Sequence, residues 1–153
     1  MTDIADLAAR LERIESELAL YRLARQYCIA ADHRDLDLWR EVWTPDAVWD
    51  TGPDRVYTGV DAICAAVGEQ WNAFPIMQHG TVNHVVDIAD GTATGRSDVI
   101  VHAQLDDTTW VTGGGTYLDE YHRNGDGRWQ IGRRTVTRPF DLGPISAMPP
   151  QQD

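Results

Sequence analysis

At 153 residues with a formal net charge of −11, the chain is sized for one domain with a full hydrophobic core, and its acidity argues against nucleic acid or an anionic membrane surface as a partner. A hydrophobic content of 42%, with six Trp and five Tyr, excludes a disordered chain. All thirteen basic residues are Arg, so Schiff-base, pyridoxal-phosphate and P-loop lysine chemistry are excluded within the chain. Cys28 and Cys64 are too few for a disulfide framework, lack zinc-ligand spacing and read as buried thiols. The first residues carry no basic segment followed by an apolar run, and no apolar stretch approaches the roughly 20 residues of a spanning helix. The expectation is a soluble, cytoplasmic protein.

Apolar residues recur at Ile4, Leu7, Leu11, Ile14 and Leu18 and continue through Tyr21, Ala24 and Cys28, which predicts an amphipathic helix to about Ala31. Its polar side carries Arg10, Glu12, Arg13, Glu17 and Arg22. The strict early spacing fits either core packing, the commoner reason for it, or a helix–helix seam. Asp35 is placed to cap a second short helix through Trp43, with Pro45 beyond it. A short segment from Ala47 to Asp50 and a turn at Gly52-Pro53 lead to a third helix after Thr58-Gly59, with Val60, Ile63, Val67 and Trp71 inward, until Phe74-Pro75 breaks the pattern. The rest reads as four long strands over residues 76–89, 92–105, 110–123 and 128–138, separated by hairpin chemistry. Gly113-Gly114-Gly115 inside the third of these predicts a bend, a bulge or a close backbone approach.

Helices first and a meander after is the α+β pattern, with helices on one face of a curved antiparallel sheet. The expectation is a single domain over 1–138 and a Pro-rich tail over 139–153. If Asp90-Gly91 is a two-residue turn, Ala89 faces Thr92, and the same register sets His79 opposite His102 and Asn83 opposite Asp98 on one face. Val99, Val101, Ala103 and Leu105, with Val82, Val86 and Ile88, then line the other face. Since helices can cover only one side, a homo-oligomer packed through the remaining face is expected.

Asp32 sits where the first helix ends, at the negative end of the helix dipole. That suits a proton-shuttling acid, a carboxylate in need of an imidazolium partner, or a simple loop cap. His79 and His102 form a candidate proton relay, and Asn83 with Asp98 can fix tautomers or bind a substrate oxygen. Alternatively they are sheet residues satisfying one another. His79, His102 and Asp98 also match a two-His-one-carboxylate metal triad, though no compact ligand motif supports it. His33, His84 and His122 read as structural or exposed, with His84 on the other face from His79. Tyr27 lies five residues before Asp32, either in core or with its hydroxyl in the same pocket. Arg134 faces Tyr117 if the last hairpin closes 123 on 128, either exposed on the sheet or buried to hold an anionic leaving group. Trp49 and Tyr117 are candidate substrate contacts.

Tyr27-Cys-Ile-Ala-Ala-Asp32 with Asp35, Thr58-Gly59 before a helix, His79-Gly-Thr-Val-Asn83, and Gly127-Arg-Trp129-Gln-Ile-Gly-Arg-Arg134 resemble the SnoaL-like group of the nuclear transport factor 2-like superfamily. The resemblance implies a cone-shaped curved sheet wrapped on helices around an internal pocket. Within the group the pattern is similar to scytalone dehydratase, bile-acid 7α-dehydratase and hexachlorocyclohexane dehydrochlorinase. It implies His79 as general base, Asp32 as its support, Tyr27 as donor to a substrate carbonyl, His102 as a second pocket histidine and Arg134 as assistant to the leaving group. The implied activity is a lyase reaction needing no cofactor and no metal, on a small apolar cyclic molecule such as a steroid, polyketide or terpenoid ketone. An isomerase, an aldol-type cyclase and a non-catalytic small-molecule-binding protein are the alternatives.

Overall fold

The structure, a computed structural model, describes residues 3–144. Three helices, α1 (Ile4–His33), α2 (Leu36–Glu41) and α3 (Val60–Ala73), accompany six strands: β1 (Trp43–Asp50), β2 (Val56–Thr58), β3 (Met77–Ala89), β4 (Thr92–Gln104), β5 (Trp110–Arg123) and β6 (Trp129–Pro144). The strands form one sheet in the order β2-β1-β6-β5-β4-β3. Every neighbouring pair is antiparallel except β1 and β6, which run parallel. The expected α+β architecture is therefore present, as a curved mixed sheet rather than an antiparallel meander alone. The unexpected parallel edge arises because the chain between α2 and α3 is itself strand. For the same reason α2 stops at Glu41 and does not reach Trp43.

Asp3 caps α1 through a bond from the Ala5 N–H, and Arg34 closes it in the left-handed conformation, φ 57°. The stripe α1 buries is Ser16, Leu20, Leu23, Ala24, Tyr27, Cys28 and Ala31, at helical spacing. The expected core stripe of Ile4, Leu7, Leu11, Ile14 and Leu18 is exposed instead. Leu18 and Leu20 are two residues apart at about 100° each, so the two stripes lie on opposite sides of the helix. The sheet claims only one of them, and only along the helix's second half.

The Asp90-Gly91 turn forms with positive φ at both residues, 33° and 78°, and pairs Ala89 with Thr92 as expected. The register then slips by one between Val82 and Val85, where Asn83 takes a left-handed φ of 54°. Beyond this bulge His79 pairs with Val101, and His102 pairs with Gln78. His79 therefore shares the face of Val99, Val101 and Ala103, while His102 and the exposed Val82 lie on the other. The expected separation of apolar face from polar patch is overturned: the apolar face is the inner one and carries His79. His84 stays on the side of Val86 and Ile88, where it contacts the Tyr121 hydroxyl at 3.2 Å; it shares that inner side with His79 only because the bulge turns His79 onto it.

The last hairpin closes Arg123 on Trp129 and not on Arg128, and the register slips once more between Glu120 and Tyr121. Arg134 pairs with Asp119 and not with Tyr117. Gly132 is the extra residue there; a Cβ on it would sit 2.3 Å from the His122 ring. The sheet also shifts between Gly114 and Thr116, within the triple-glycine segment. These bulges supply the curvature. β6 continues to Pro144, so the beginning of the predicted tail is strand; residues 145–153 lie outside the described residues.

Candidate active site

The end of α1 is fixed by hydrogen bonds that the sequence did not advertise. The Arg34 guanidinium donates to the carbonyls of Trp71 (2.8 Å), Phe74 (3.2 Å) and Pro75 (2.8 Å), and the Trp71 indole N–H donates to the Ala31 carbonyl at 2.7 Å. The last turn of α1, the end of α3 and the start of β3 are thereby held together. Asp32, in that last turn, reaches β3. Its Oδ1 accepts from His79 Nδ1 at 2.5 Å, while its Oδ2 accepts from the His79 backbone N–H at 2.9 Å and from Gln78 Nε2 at 3.3 Å. Both side chains are withdrawn from solvent, 5% exposed for His79 and 7% for Asp32. A carboxylate only accepts, so Nδ1 carries a proton, and in the neutral ring Nε2 holds the lone pair.

That imidazole lines a cavity of about 630 Å³ bounded also by Tyr27, Trp49, Tyr57, Met77, Tyr117 and Val136, by Val99, Val101 and Ala103 of β4, and by the Gly113–Gly115 backbone. The Tyr27 ring stands edge-on to His79 with centroids 6.4 Å apart and packs on Trp39 and Trp43 behind it. Burial pushes the Tyr27 phenol up to about 12, against the opposing pull of the Arg134 charge. The group is a neutral O–H donor at ordinary pH. Trp49 lines the cavity with its indole N–H unpaired among the described residues.

Arg134 lies behind this wall, wholly buried. It forms a two-pronged ion pair with Asp119, Nε to Oδ1 and Nη2 to Oδ2 both at 2.7 Å, and its guanidinium carbon lies 4.1 and 4.0 Å from the ring centres of Tyr27 and Tyr117. It is not among the residues that line the cavity. Burial works against its charge, but the Asp119 carboxylate more than offsets this and its pKa stands well above the usual value. Tyr121 donates to the same carboxylate at 2.7 Å. Asp119 is the principal residue that sequence reading missed. Its signal was present: Tyr117, Asp119 and Tyr121 share one face of a strand, and a carboxylate among inward aromatics needs a cation.

His102, Asn83 and Asp98 are not brought to the cavity. His102 lies on the outer face against the Thr112 hydroxyl at 2.8 Å. Asn83 donates to Asp98 at 2.9 Å, and Thr116 donates to the other oxygen at 2.9 Å. Those two bonds, Asn83's first, hold the Asp98 carboxyl below its usual range. The two-histidine relay and the rival metal triad are both dismantled by the bulge, which puts His79 on one side of the sheet and His102 and Asp98 on the other. Among the described residues, no cluster of three or more His, Cys, Asp or Glu side chains could hold a metal ion. No described helix is long and apolar enough to cross a membrane.

The SnoaL-like domain family matches residues 12–135 of this sequence. The chain belongs to that family. Solved structures agree on this SnoaL-like fold, a nuclear transport factor 2-like cone. A type 2 hexachlorocyclohexane dehydrochlorinase superposes with a TM-score of 0.83 at 21% identity, covering 94% of this chain and 99% of its own. A protein of Novosphingobium aromaticivorans classed as a scytalone dehydratase gives 0.79 at 20% identity, covering 93% and 97%. Another from the same organism, classed as an aromatic ring hydroxylase, gives 0.77 at 29% identity, covering 86% and 94%. No curated protein matches the chain in sequence. This SnoaL-like chain thus combines the family's cone with an Asp–His contact at the mouth of its first long strand.

Proposed function

We propose that the protein is a lyase that eliminates water or a comparable leaving group from a small, largely apolar cyclic substrate carrying a carbonyl. The observation that carries this reading is the 2.5 Å contact between Asp32 and His79 on a residue that lines the cavity. With Nδ1–H held by Asp32, His79 Nε2 takes a proton from the carbon next to the carbonyl, and the carboxylate balances the imidazolium that forms. Tyr27, a neutral phenol, donates to the carbonyl oxygen as the C–H electrons move into an enolate. The enolate then expels a hydroxyl from the neighbouring carbon, and the imidazolium returns its proton to that oxygen, so water leaves and His79 is ready again. His79 serves as base and acid in turn, which requires proton and hydroxyl to depart from one face of the ring.

The likeness to a dehydrochlorinase and to a protein classed as a scytalone dehydratase supports the elimination class. A cavity of about 630 Å³ walled by Met77, Val99, Val101 and Val136 suits a steroid, polyketide or terpenoid ketone. The test is turnover of a panel of cyclic β-hydroxy ketones, followed by appearance of the conjugated enone. A positioned base is worth about 10²–10⁴-fold, so His79→Ala and Asp32→Asn should each lose at least about a hundredfold in kcat. Near-parental rates in either variant would remove the dyad from the reaction, and conversion without loss of water would assign an isomerase instead.

A further inference from the structure

The outward stripe of α1 has no role in the cavity or in the core. Ile4, Leu7, Leu11, Ile14 and Leu18 are between 51% and 83% exposed and follow one another at steps of three, four, three and four. That alternation matches the repeat of a helix–helix seam, and with the stripe exposed it is not used for packing on the sheet. It faces directly away from the side that α1 buries, so none of the described residues covers it. We propose that this stripe is a self-association surface that docks a second copy of the chain, helix α1 against helix α1, in parallel.

The charges beside the stripe select both the occupant and its direction. In a parallel pair the residue preceding one seam position meets the partner residue five places further on. Arg10 then meets the partner's Glu15, and Glu17 meets the partner's Arg22. Each contact occurs twice by symmetry, and all four are attractive. An antiparallel pair would match Arg10 with the partner's Glu17 alone and leave Glu15 and Arg22 without an opposite charge. Arg25 occupies the next seam position after Tyr21, where it would oppose its own copy; the seam therefore ends where the stripe ends. The second half of α1 is buried under its own sheet, and Glu12 on the side away from the seam is tied to Arg123 at 2.9 Å. The helix is thus formed before it meets its partner, which removes the nucleation cost that makes short isolated coiled coils weak. Because seam and buried stripe are opposed, each domain lies on the far flank of the helix pair and the two do not collide.

The test is the solution mass of the full chain by size exclusion with light scattering, with near-ultraviolet circular dichroism to report the aromatic core. Leu11→Asp with Ile14→Asp should halve the mass and leave the aromatic signal unchanged, since neither side chain is in the core. A parental chain that is monomeric, or a double variant of unchanged mass, overturns the proposal. Direction is tested by charge reversal, which avoids the apolar positions. Arg10→Glu should weaken association about tenfold by turning two attractions into two repulsions, and adding Glu15→Arg should restore it. Rescue by Glu17→Arg and not by Glu15→Arg would make the pair antiparallel and overturn the arrangement proposed.

Discussion

Asp119 and Arg134 show how much of the pocket wall depends on side chains that never touch its contents. Their side chains are 0% and 1% exposed, and the guanidinium packs on the rings of both Tyr27 and Tyr117, which themselves meet edge to face at 5.7 Å. Removing one partner of a buried ion pair strands the other charge, at a cost of about 3–5 kcal/mol. Asp119→Ala should fall in that range, because it leaves Arg134 uncompensated and also takes the acceptor from the Tyr121 hydroxyl. The paired replacement of Asp119 by Leu and Arg134 by Met should be markedly milder than Asp119→Ala, as measured by urea denaturation midpoints. Equal losses in the two proteins would mean that the pair's charge is not what holds the wall. Arg134 was visible in the sequence as a cation on a strand, but its partner depends on register. Two one-residue displacements, the closure of the hairpin on Trp129 and the bulge at Gly132, exchanged Tyr117 for Asp119 as its neighbour across the ladder.

The β3–β4 hairpin carries the same lesson at greater length. The Asp90-Gly91 turn and the pairs nearest it follow the two-residue rule, because tight-turn geometry is encoded locally in residues that accept positive φ. What the local code does not announce is Asn83. Asn tolerates the left-handed conformation better than most residues, yet it is also ordinary in a strand, so the bulge has no unambiguous sequence signature. Everything beyond it on β3, the side on which His79 falls included, inverts with that one residue, while His102 keeps its place opposite the side of Val101 and Ala103. The Asp32–His79 meeting was nonetheless legible, because it depends on which elements adjoin and not on the face reached by His102. Asn83→Ala should cost about 1 kcal/mol from the left-handed backbone alone, and the lost bond to Asp98 adds to it. Asn83→Gly should recover the backbone part. Denaturation of the three proteins separates the contributions; equal stability of the Ala and Gly variants would show that φ at this position carries no strain.

The chain as a whole closes a cavity by bringing early and late segments to the same place: Tyr27 of α1, Trp49 of β1, His79 of β3 and Tyr117 of β5 all line it. Helices cover the inner face of the sheet, and bulges curl the strands so that an apolar interior remains open. At Gly113 the wall carries no side chain. Gly113 pairs with Val101, itself a lining residue, and paired residues share a face. A Cβ built there meets no atom of the described residues within 4 Å, so the missing side chain is room in the cavity and not a backbone requirement. A strand interior ordinarily disfavours glycine by roughly 0.5–1 kcal/mol, which fits a position kept small for what it admits. Gly113→Val should therefore leave the melting temperature unchanged or slightly raised, while shrinking the cavity on the side facing Val101. For two substrates differing by a ring substituent, kcat/KM of the larger should fall about tenfold or more relative to the smaller. The same ratio in parent and variant would mean that substrate never approaches this wall, and a loss of stability would mean that the open space at Gly113 is filled by something other than the ligand.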